Sequence, residues 1–145
     1  MASVQDILSS KSSKVLTTRR DATVLEAINK MNDHGVGALV VCEGPQVVGM
    51  FTERDVLRRV VGEERQPSSV TVGEVMTEEV ICCQPDMDLD EVSAIMSQKK
   101  IRHLPICDED GKVHGMISIG DVNAHHASDQ EAQIHFLSEY IYGRV

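Results

Sequence analysis

Aromatic side chains are almost missing from this chain. Its 145 residues include two Phe, two Tyr and no Trp, so a core has to be built from aliphatic side chains. Basic residues are also outnumbered, and the formal net charge is −9. General nucleic-acid binding needs clustered cations, so this composition argues against nucleic acid as a partner. Any anionic ligand requires a local basic cluster that acts against the global field.

Other missing features limit the expected cellular location of the protein and the classes of reaction that it could catalyse. No apolar run reaches the roughly 18 residues of a membrane span, and no basic stretch followed by an apolar one marks a secretory signal. None of the four cysteines forms a C-x-x-C pair, so free thiols in the cytoplasm are the expectation. The chain has no G-x-S-x-G, P-loop or H-E-x-x-H motif. These absences favour a cytoplasmic binding protein over an enzyme.

What the sequence does contain is an internal repeat. Val15–Cys42 aligns with Val80–Cys107 at an offset of 65 residues, with matching apolar positions and a shared final cysteine. One additional residue then enters a turn-rich stretch of the second copy. Gly49–Thr52 aligns with Gly115–Ser118 at an offset of 66 residues. A duplication of this extent predicts two copies of one structural unit.

Each copy has the pattern of a β-α-β-β-α unit. A short extended piece precedes a helix with apolar residues at i, i+3, i+4 and i+7, and Thr23 with Glu26 gives that helix a capping-box pattern. Two apolar runs then predict a hairpin, and Thr52 is predicted to cap a helix from Glu53 to about Val61. We expect an α/β (α+β) fold in which two such repeats pack around a pseudo-twofold axis, because neither can bury a good core alone.

The expected organisation has three parts. The first repeat with its linker spans residues 1–69, and the second spans residues 70–127. A short segment near the start of each also repeats, since residues 4–8 match residues 72–76. Residues 128–145 lie outside the repeat and carry apolar stripes typical of a helix. That C-terminal helix either docks on its own chain or forms a dimer contact, and the sequence leaves both open.

The most informative motif is the ending of each hairpin. Gly-apolar-apolar-[Ser/Thr]-x-x-Asp occurs as Gly49–Asp55 and again as Gly115–Asp121. A hydroxyl residue followed by Asp is a capping arrangement, so the carboxylates could serve the helices alone. The same geometry suits a ligand, because a helix N-terminus presents free N–H groups to an anion. A carboxylate one turn further on can accept hydrogen bonds from ribose hydroxyls.

The paired repeats and their shared ending resemble the cystathionine-β-synthase (CBS) domain family. Over about residues 4–122 the chain resembles one stand-alone tandem pair, a Bateman module. The resemblance implies a regulatory sensor that binds AMP, ATP, NAD(H) or S-adenosylmethionine in clefts between the repeats and requires no other cofactor. AMP or ATP is the expected ligand. A homodimer is also expected, because the family pairs two modules into a flat disc.

The resemblance also implies roles for particular residues. The motif residues Asp55 and Asp121 would bind ribose, and Thr52 and Ser118 would approach phosphate. Arg54, inside the first motif, is either a further phosphate contact or an ordinary surface residue.

The residues before the first hairpin strand differ between the copies. The second copy carries the family's basic pattern, in which Arg102 and His103 supply charge-assisted donors for phosphate and Pro105 follows. In the first copy Gly37 and Ala38 stand at the positions of this basic pair. The two clefts are therefore not expected to be equivalent. Which motif aspartate the basic pair serves stays open.

Adenine needs an apolar slot with backbone partners. Strand residues of both copies are candidates by position, Met50 and Met116 among them, and an ordinary core position is the competing interpretation for each. The complete set of predicted nucleotide-binding residues is Thr17, Gly37, Ala38, Leu39, Thr52, Arg54, Asp55, Cys82, Arg102, His103, Leu104, Pro105, Ser118 and Asp121.

Two other hypotheses compete with the nucleotide sensor. In a ligand-free interaction scaffold the motif aspartates only cap helices. A thiol or metal sensor is favoured least, because the adjacent Cys82 and Cys83 point to opposite faces of a strand. Cys42 and Cys107 occupy equivalent strand positions, which favours a core role. No metal site is predicted.

Overall fold

The elements of the first repeat recur in the same order in the second. The computed structural model describes residues 2–10 and 15–129, so the predicted C-terminal helix lies outside the described residues except for its first two positions. In chain order the elements are α1 (Val4–Ser10), β1 (Thr17–Thr18), α2 (Val24–His34), β2 (Ala38–Glu43), β3 (Gln46–Thr52), α3 (Glu53–Asp55), a π-helical segment (Val56–Val61), a 3-10 turn (Pro67–Ser69), α4 (Val72–Val75), α5 (Leu89–Lys99), β4 (His103–Cys107), β5 (Val113–Ser118) and α6 (Ile119–Asp129).

The long helix of each repeat begins at a side-chain cap and ends in a left-handed residue. The hydroxyl of Thr23 accepts from the backbone N–H of Glu26 at 3.1 Å, as the capping-box pattern predicts. Asp88 caps α5 in the same way, through the N–H two residues on at 2.8 Å. Gly35 closes α2 with φ 64°. Lys100 takes the equivalent position after α5 with φ 57°, a conformation that glycine adopts at lower cost.

The strands form two small sheets. In the first repeat β1 pairs in parallel with β2, which pairs antiparallel with β3. In the second repeat β4 pairs antiparallel with β5. The counterpart of β1 is reduced there to one parallel bridge, between Cys83 and Ile106. The mixture of helices and small sheets confirms the predicted α+β class.

The two short helices are exchanged between the repeats. Val4 and Ile7 of α1 belong to the core of the second repeat. Val70, Val72 and Val75, which follow the linker, belong to the core of the first. The boundary predicted between residues 69 and 70 separates the two repeats along the sequence, and it stays a prediction. The cores themselves cross that boundary in both directions.

A third apolar cluster joins the two hairpins. Val40 and Met50 of the first repeat are buried in it, and Val80 and Met116 of the second pack against it. The hairpin loops meet above this cluster, where the N–H of Val47 donates to the second loop at 3.2 Å. The buried residues are overwhelmingly aliphatic, as the composition requires. Among the described residues, no helix is long and apolar enough to span a membrane.

The exchange of α1 generates a stability prediction. Ile7→Ala removes a side chain that is 3% exposed and should lower the free energy of unfolding by about 2–4 kcal/mol. The loss of amide protection should appear in α5, β4 and β5 before it appears in α2 and β2. Urea denaturation and hydrogen exchange measure the two effects.

The control is Gln5→Ala, an exposed position of the same helix, which should change stability by no more than about 0.5 kcal/mol. Protection lost mainly from the first repeat would contradict the exchanged packing.

Candidate functional site

A cleft of about 430 Å³ lies between the two repeats, within the size range of small-molecule sites. The first repeat contributes the end of β3 and the start of α3, and the second contributes the chain before α5 and the start of β4. The lining residues are Gly37, Met50, Thr52, Glu53, Arg54, Asp55, Leu57, Arg58, Thr77, Glu79, Val80, Ile81, Ile101, Arg102, His103, Leu104 and Pro105.

Asp55 is the buried charge of this cleft, with only 5% of its surface exposed. One carboxylate oxygen, Oδ2, accepts from the N–H of Thr52 at 3.0 Å and from its hydroxyl at 3.3 Å. The other oxygen, Oδ1, accepts from the hydroxyl of Thr77 at 3.1 Å. Thr52 and Asp55 thereby form a reciprocal capping box at the start of α3. The contact with Thr77 extends this cap across the linker to the second repeat.

Arg59 connects the same carboxylate to an exchanged helix. Its guanidinium lies 4.0 Å from Oδ1 of Asp55, and it donates to the carbonyls of Val75 at 3.1 Å and Met76 at 2.8 Å. A cation at the C-terminal end of α4 satisfies carbonyls that have no partner within the helix. The motif aspartate thus contacts the end of the hairpin, the π-helical segment and the segment that follows α4.

Of the three arginines that line the cleft, one is hydrogen-bonded to the protein, and the other two have no partner among the described residues. Arg54 donates to the carbonyl of Lys100 at 3.2 Å and so supports the left-handed end of α5. Among residues 2–10 and 15–129, the guanidinium groups of Arg58 and Arg102 have no hydrogen bond or ion pair with the protein. These two cations are available to an anion that enters the cleft.

The acidic side of the cleft explains why the two repeats differ before the first hairpin strand. The carboxyl carbon of Glu53 would lie 3.1 Å from a Cβ placed on Gly37, and the N–H of Glu53 donates to the carbonyl of Gly37 at 3.1 Å. In the second repeat the same backbone bond runs from Ile119 to Arg102 at 2.8 Å. Gly37 therefore leaves room for the carboxylate of Glu53. At the equivalent positions of the second repeat, Arg102 lies beside the apolar Ile119.

The structure brings eight of the predicted residues into one cleft. They are Gly37, Thr52, Arg54, Asp55, Arg102, His103, Leu104 and Pro105. Arg102 and His103 therefore line the same cleft as Asp55, and a joint role in binding a ligand stays a prediction. The basic pair of one repeat meets the motif of the other.

Six predicted residues lie outside this cleft. They are Thr17, Ala38, Leu39, Cys82, Ser118 and Asp121. The side chains of Ala38 and Leu39 are completely buried in apolar clusters. Ser118 and Asp121 repeat the helix cap, since the N–H of Ser118 donates to Oδ2 of Asp121 at 2.9 Å. By pseudo-symmetry they would face a second cleft. That second cleft remains a prediction.

Sequence reasoning missed several lining residues. Arg58 follows Asp55 by one helical turn, so extending the motif by three positions would have found it. Thr77 and Glu79 lie between α4 and α5, where no motif marks them. The described residues contain no group of three or more His, Cys, Asp or Glu placed to hold a metal ion.

The comparison with known proteins fits this architecture. A family model for the CBS domain matches residues 4–62 and again residues 72–126. The chain belongs to the CBS domain family. The CBS domain-containing protein YhcV of Bacillus subtilis is 35% identical over 132 residues, which cover 91% of each chain.

Solved structures share the fold of this CBS pair. A protein with CBS domains from Burkholderia ambifaria is 38% identical, with a TM-score of 0.84 over 89% of this chain and 96% of that one. The CBS domain pair of protein MJ0100, solved with 5′-methylthioadenosine and S-adenosyl-L-methionine, is 25% identical, with a TM-score of 0.78 over 89% and 98%. PAE2072 from Pyrobaculum aerophilum, complexed with AMP, shares the fold at 19% identity, with a TM-score of 0.74 over 83% and 89%.

Because Asp55 is buried, removal of its side chain from the CBS pair should cost more stability than removal of the exposed acid from the capping box on α4. Asp55→Ala leaves the N–H of Thr52 and the hydroxyl of Thr77 without their acceptor, and should cost about 2–3 kcal/mol of stability. The matched control is Glu74→Ala, which breaks a capping box on α4 whose acid is 50% exposed. The control should cost less, as measured by urea unfolding at pH 7. Equal losses would mean that burial and the contact with Thr77 contribute nothing.

Proposed function

We propose that this CBS pair is a regulatory sensor that binds an adenine nucleotide in the cleft shared by Asp55 and Arg102. The observation that carries the proposal is a pair of guanidinium groups, Arg58 and Arg102, that have no partner in the described part of the chain and share a cavity with a buried helix-capping carboxylate. A ligand with an anion at one end and hydroxyl donors at the other matches both. The adenosyl ligands of MJ0100 and PAE2072 support this class of compound.

The phosphate end of the ligand is assigned to the cations. Arg58 and Arg102 come from different repeats, so a phosphate between them would join the two walls of the cleft. A guanidinium presents a planar set of donors that suits phosphate oxygens. Desolvation in a cleft strengthens this interaction relative to bulk water. His103 is a further contact, as its basic pattern implies.

The charge balance of the cleft favours a monophosphate. Three arginines line it, Arg54, Arg58 and Arg102, and three carboxylates oppose them, among them Glu53 and Asp55. A phosphate monoester carries about −1.5 to −2 charges at pH 7, which the two free guanidinium groups can neutralise. A triphosphate brings more negative charge than the cleft has free cations to meet. We therefore propose AMP as the preferred ligand, ahead of ATP.

The ribose end is assigned to Asp55. Each carboxylate oxygen can accept about two hydrogen bonds. Oδ2 already accepts two from Thr52, whereas Oδ1 accepts one from Thr77. One acceptor position on Oδ1 is therefore left for a ribose hydroxyl. The base would lie against the apolar wall, where Val80, Ile81 and Pro105 line the cavity.

The ligand-free scaffold remains the second candidate, and the observation that favours it is the saturation of Oδ2 by Thr52. Under that alternative the cleft is an ordinary gap between repeats, and no nucleotide raises the melting temperature. A ligand that binds the folded state stabilises it by mass action. A thermal-shift screen of AMP, ATP, NAD(H) and S-adenosylmethionine therefore separates the two candidates.

Pairing of two copies, expected from the family resemblance, stays a proposal. It would cover Leu57 and Val61, two apolar residues one turn apart that are 66% and 60% exposed.

The first functional prediction concerns phosphate. Arg102→Gln and Arg58→Gln each remove one charge-assisted donor, worth about 1.5–3 kcal/mol, and should weaken AMP binding by about 10- to 100-fold. Adenosine, which lacks phosphate, should bind the variants as it binds the original protein. Isothermal titration calorimetry measures both ligands.

Arg19→Gln is the matched control, because Arg19 pairs with Asp21 in an exposed ion pair outside the cleft. It should leave both affinities unchanged. An equal loss for AMP and adenosine in the cleft variants would refute the phosphate assignment.

The second functional prediction concerns ribose. Deoxy analogues of AMP that lack the 2′- or the 3′-hydroxyl should bind the original protein more weakly than AMP, for at least one of the two positions. Asp55→Asn removes the charge with little change of shape, so it should reduce this difference by about 1–2 kcal/mol. If the variant folds and discriminates as before, Asp55 only caps the helix.

A further inference from the structure

The four cysteines, which come from three separate segments of the chain, lie around one end of β4. All are free thiols, and among them Cys82 is exposed while Cys42, Cys83 and Cys107 are buried. The Sγ of Cys107 lies 2.9 Å from the Sγ of Cys82. The other members of the group have different surroundings. Cys83 donates to the carbonyl of Pro105 at 3.5 Å, and Cys42 lies in the apolar cluster between the hairpins.

The backbone holds Cys82 and Cys107 on one face. Cys83 pairs in parallel with Ile106, which places Cys82 opposite Pro105. Cys107 is two residues beyond Pro105, and side chains two apart on a strand point to the same face. The N–H of Cys107 donates to the carbonyl of Cys83 at 2.9 Å, so neither segment is free to slide away. The short contact between the sulfurs follows from this register.

We propose that Cys82 and Cys107 are a modification site that forms a reversible disulfide with a small-molecule disulfide such as oxidised glutathione. The Cys82 thiolate attacks one glutathione sulfur, which breaks the glutathione disulfide and releases one glutathione thiolate. The Cys107 thiolate then attacks the sulfur of Cys82 and displaces the second glutathione. The two protons given up by the cysteines are taken up by the two glutathione thiolates, and the protein pair is oxidised as one glutathione disulfide is reduced.

The geometry requires little movement. A disulfide holds its sulfurs about 2.03–2.05 Å apart, so this pair has to close by about 0.9 Å from its present 2.9 Å. Cys82 is the exposed member and therefore the one that an oxidant in solution reaches first. Among the first repeat's positions, Thr17 stands where Cys82 stands in the second. The dithiol is thus a feature of the second repeat only.

Burial raises the pKa of thiols in this group. It raises the pKa of Cys83 to about 12, and it raises the pKa of Cys107 well above that of an exposed thiol. The titratable groups that bear on Cys107 are the thiols of Cys82, Cys83 and Cys42, and each of them raises its pKa further. Only the thiolate attacks a disulfide. While the pH is below the pKa of Cys107, the rate of closure should therefore rise about tenfold for each unit by which the pH increases.

The site borders the nucleotide cleft without being part of it. Val80 and Ile81, which immediately precede Cys82, line the cleft, and so do Leu104 and Pro105 in the strand that carries Cys107. The bond would therefore tie together two segments of one cleft wall. The chemistry of the thiols requires no nucleotide, so the disulfide can be tested whether or not the proposed ligand binds.

The test is treatment of the full chain with oxidised glutathione at pH 7 and pH 8, followed by mass spectrometry and peptide mapping. The original protein should lose two hydrogen masses and yield a peptide linking Cys82 to Cys107. Cys107→Ser should stop at a stable adduct of one glutathione on Cys82. Cys82→Ser, at an exposed position that leaves the core intact, should form neither product. Closure should be about tenfold faster at pH 8 than at pH 7, and a reducing thiol should reverse it.

Cys42→Ser and Cys83→Ala are the matched controls, since each removes a neighbouring thiol but keeps the pair, and both should still form the bond. The proposal is overturned if Cys82 of the original protein accumulates glutathione without closing. It is equally overturned if oxidation joins two chains through Cys82 or links a different pair within one chain.

Discussion

The apolar contact between the two hairpins is the interaction on which the cleft depends. Val40 and Met50 on one side and Val80 and Met116 on the other are packed in a common cluster. No aromatic side chain of residues 2–10 and 15–129 takes part in it, so among these residues the contact relies on close fitting of aliphatic groups. Since the walls of the cleft belong to different repeats, their separation is set by this packing. A change in its geometry would change the distance between the capping motif and the basic pair.

The cleft is balanced in formal charge between arginines and carboxylates, whereas the whole molecule is strongly acidic. The chain carries a formal net charge of −9, yet two guanidinium groups in the cleft have no protein partner among the described residues. Carboxylates stand close by, Glu53 against Gly37 and Asp55 at the helix start. Long-range attraction of an anion is therefore weak, and recognition has to come from contacts made within the cleft.

Comparison of the repeats predicted the order of the main elements and the caps at Thr23 and Thr52, and the family resemblance pointed to eight residues that line the cleft. These features are local, or they recur in both copies, and so leave a pattern in the sequence. The exchange of α1 and α4 leaves none, because Val4 and Val72 are equally apolar and either core would bury them equally well. The contacts of Thr77 with Asp55 and of Cys82 with Cys107 depend on register between distant segments, which periodicity does not reveal.

The capping carboxylate shows why structural and binding roles are hard to separate from the sequence. Asp55 makes the helix cap that Thr52-x-x-Asp55 predicts, and one of its oxygens is filled by that cap. The other oxygen contacts Thr77 from beyond the linker, which no motif indicates. A single aspartate therefore caps its helix through one oxygen and contacts a distant segment of the chain through the other.

The placement of α1 has a consequence for how the chain folds during synthesis. Its apolar residues Val4 and Ile7 leave the ribosome before the other residues of their core, which include Leu104 and Val122. At about 5–20 residues per second, α1 waits several seconds for its partners, whereas the first repeat acquires its last core segment once Met76 is made. Helix α1 is thus made before the other described helices but is among the latest of them to be buried, and contacts of such long sequence separation slow folding.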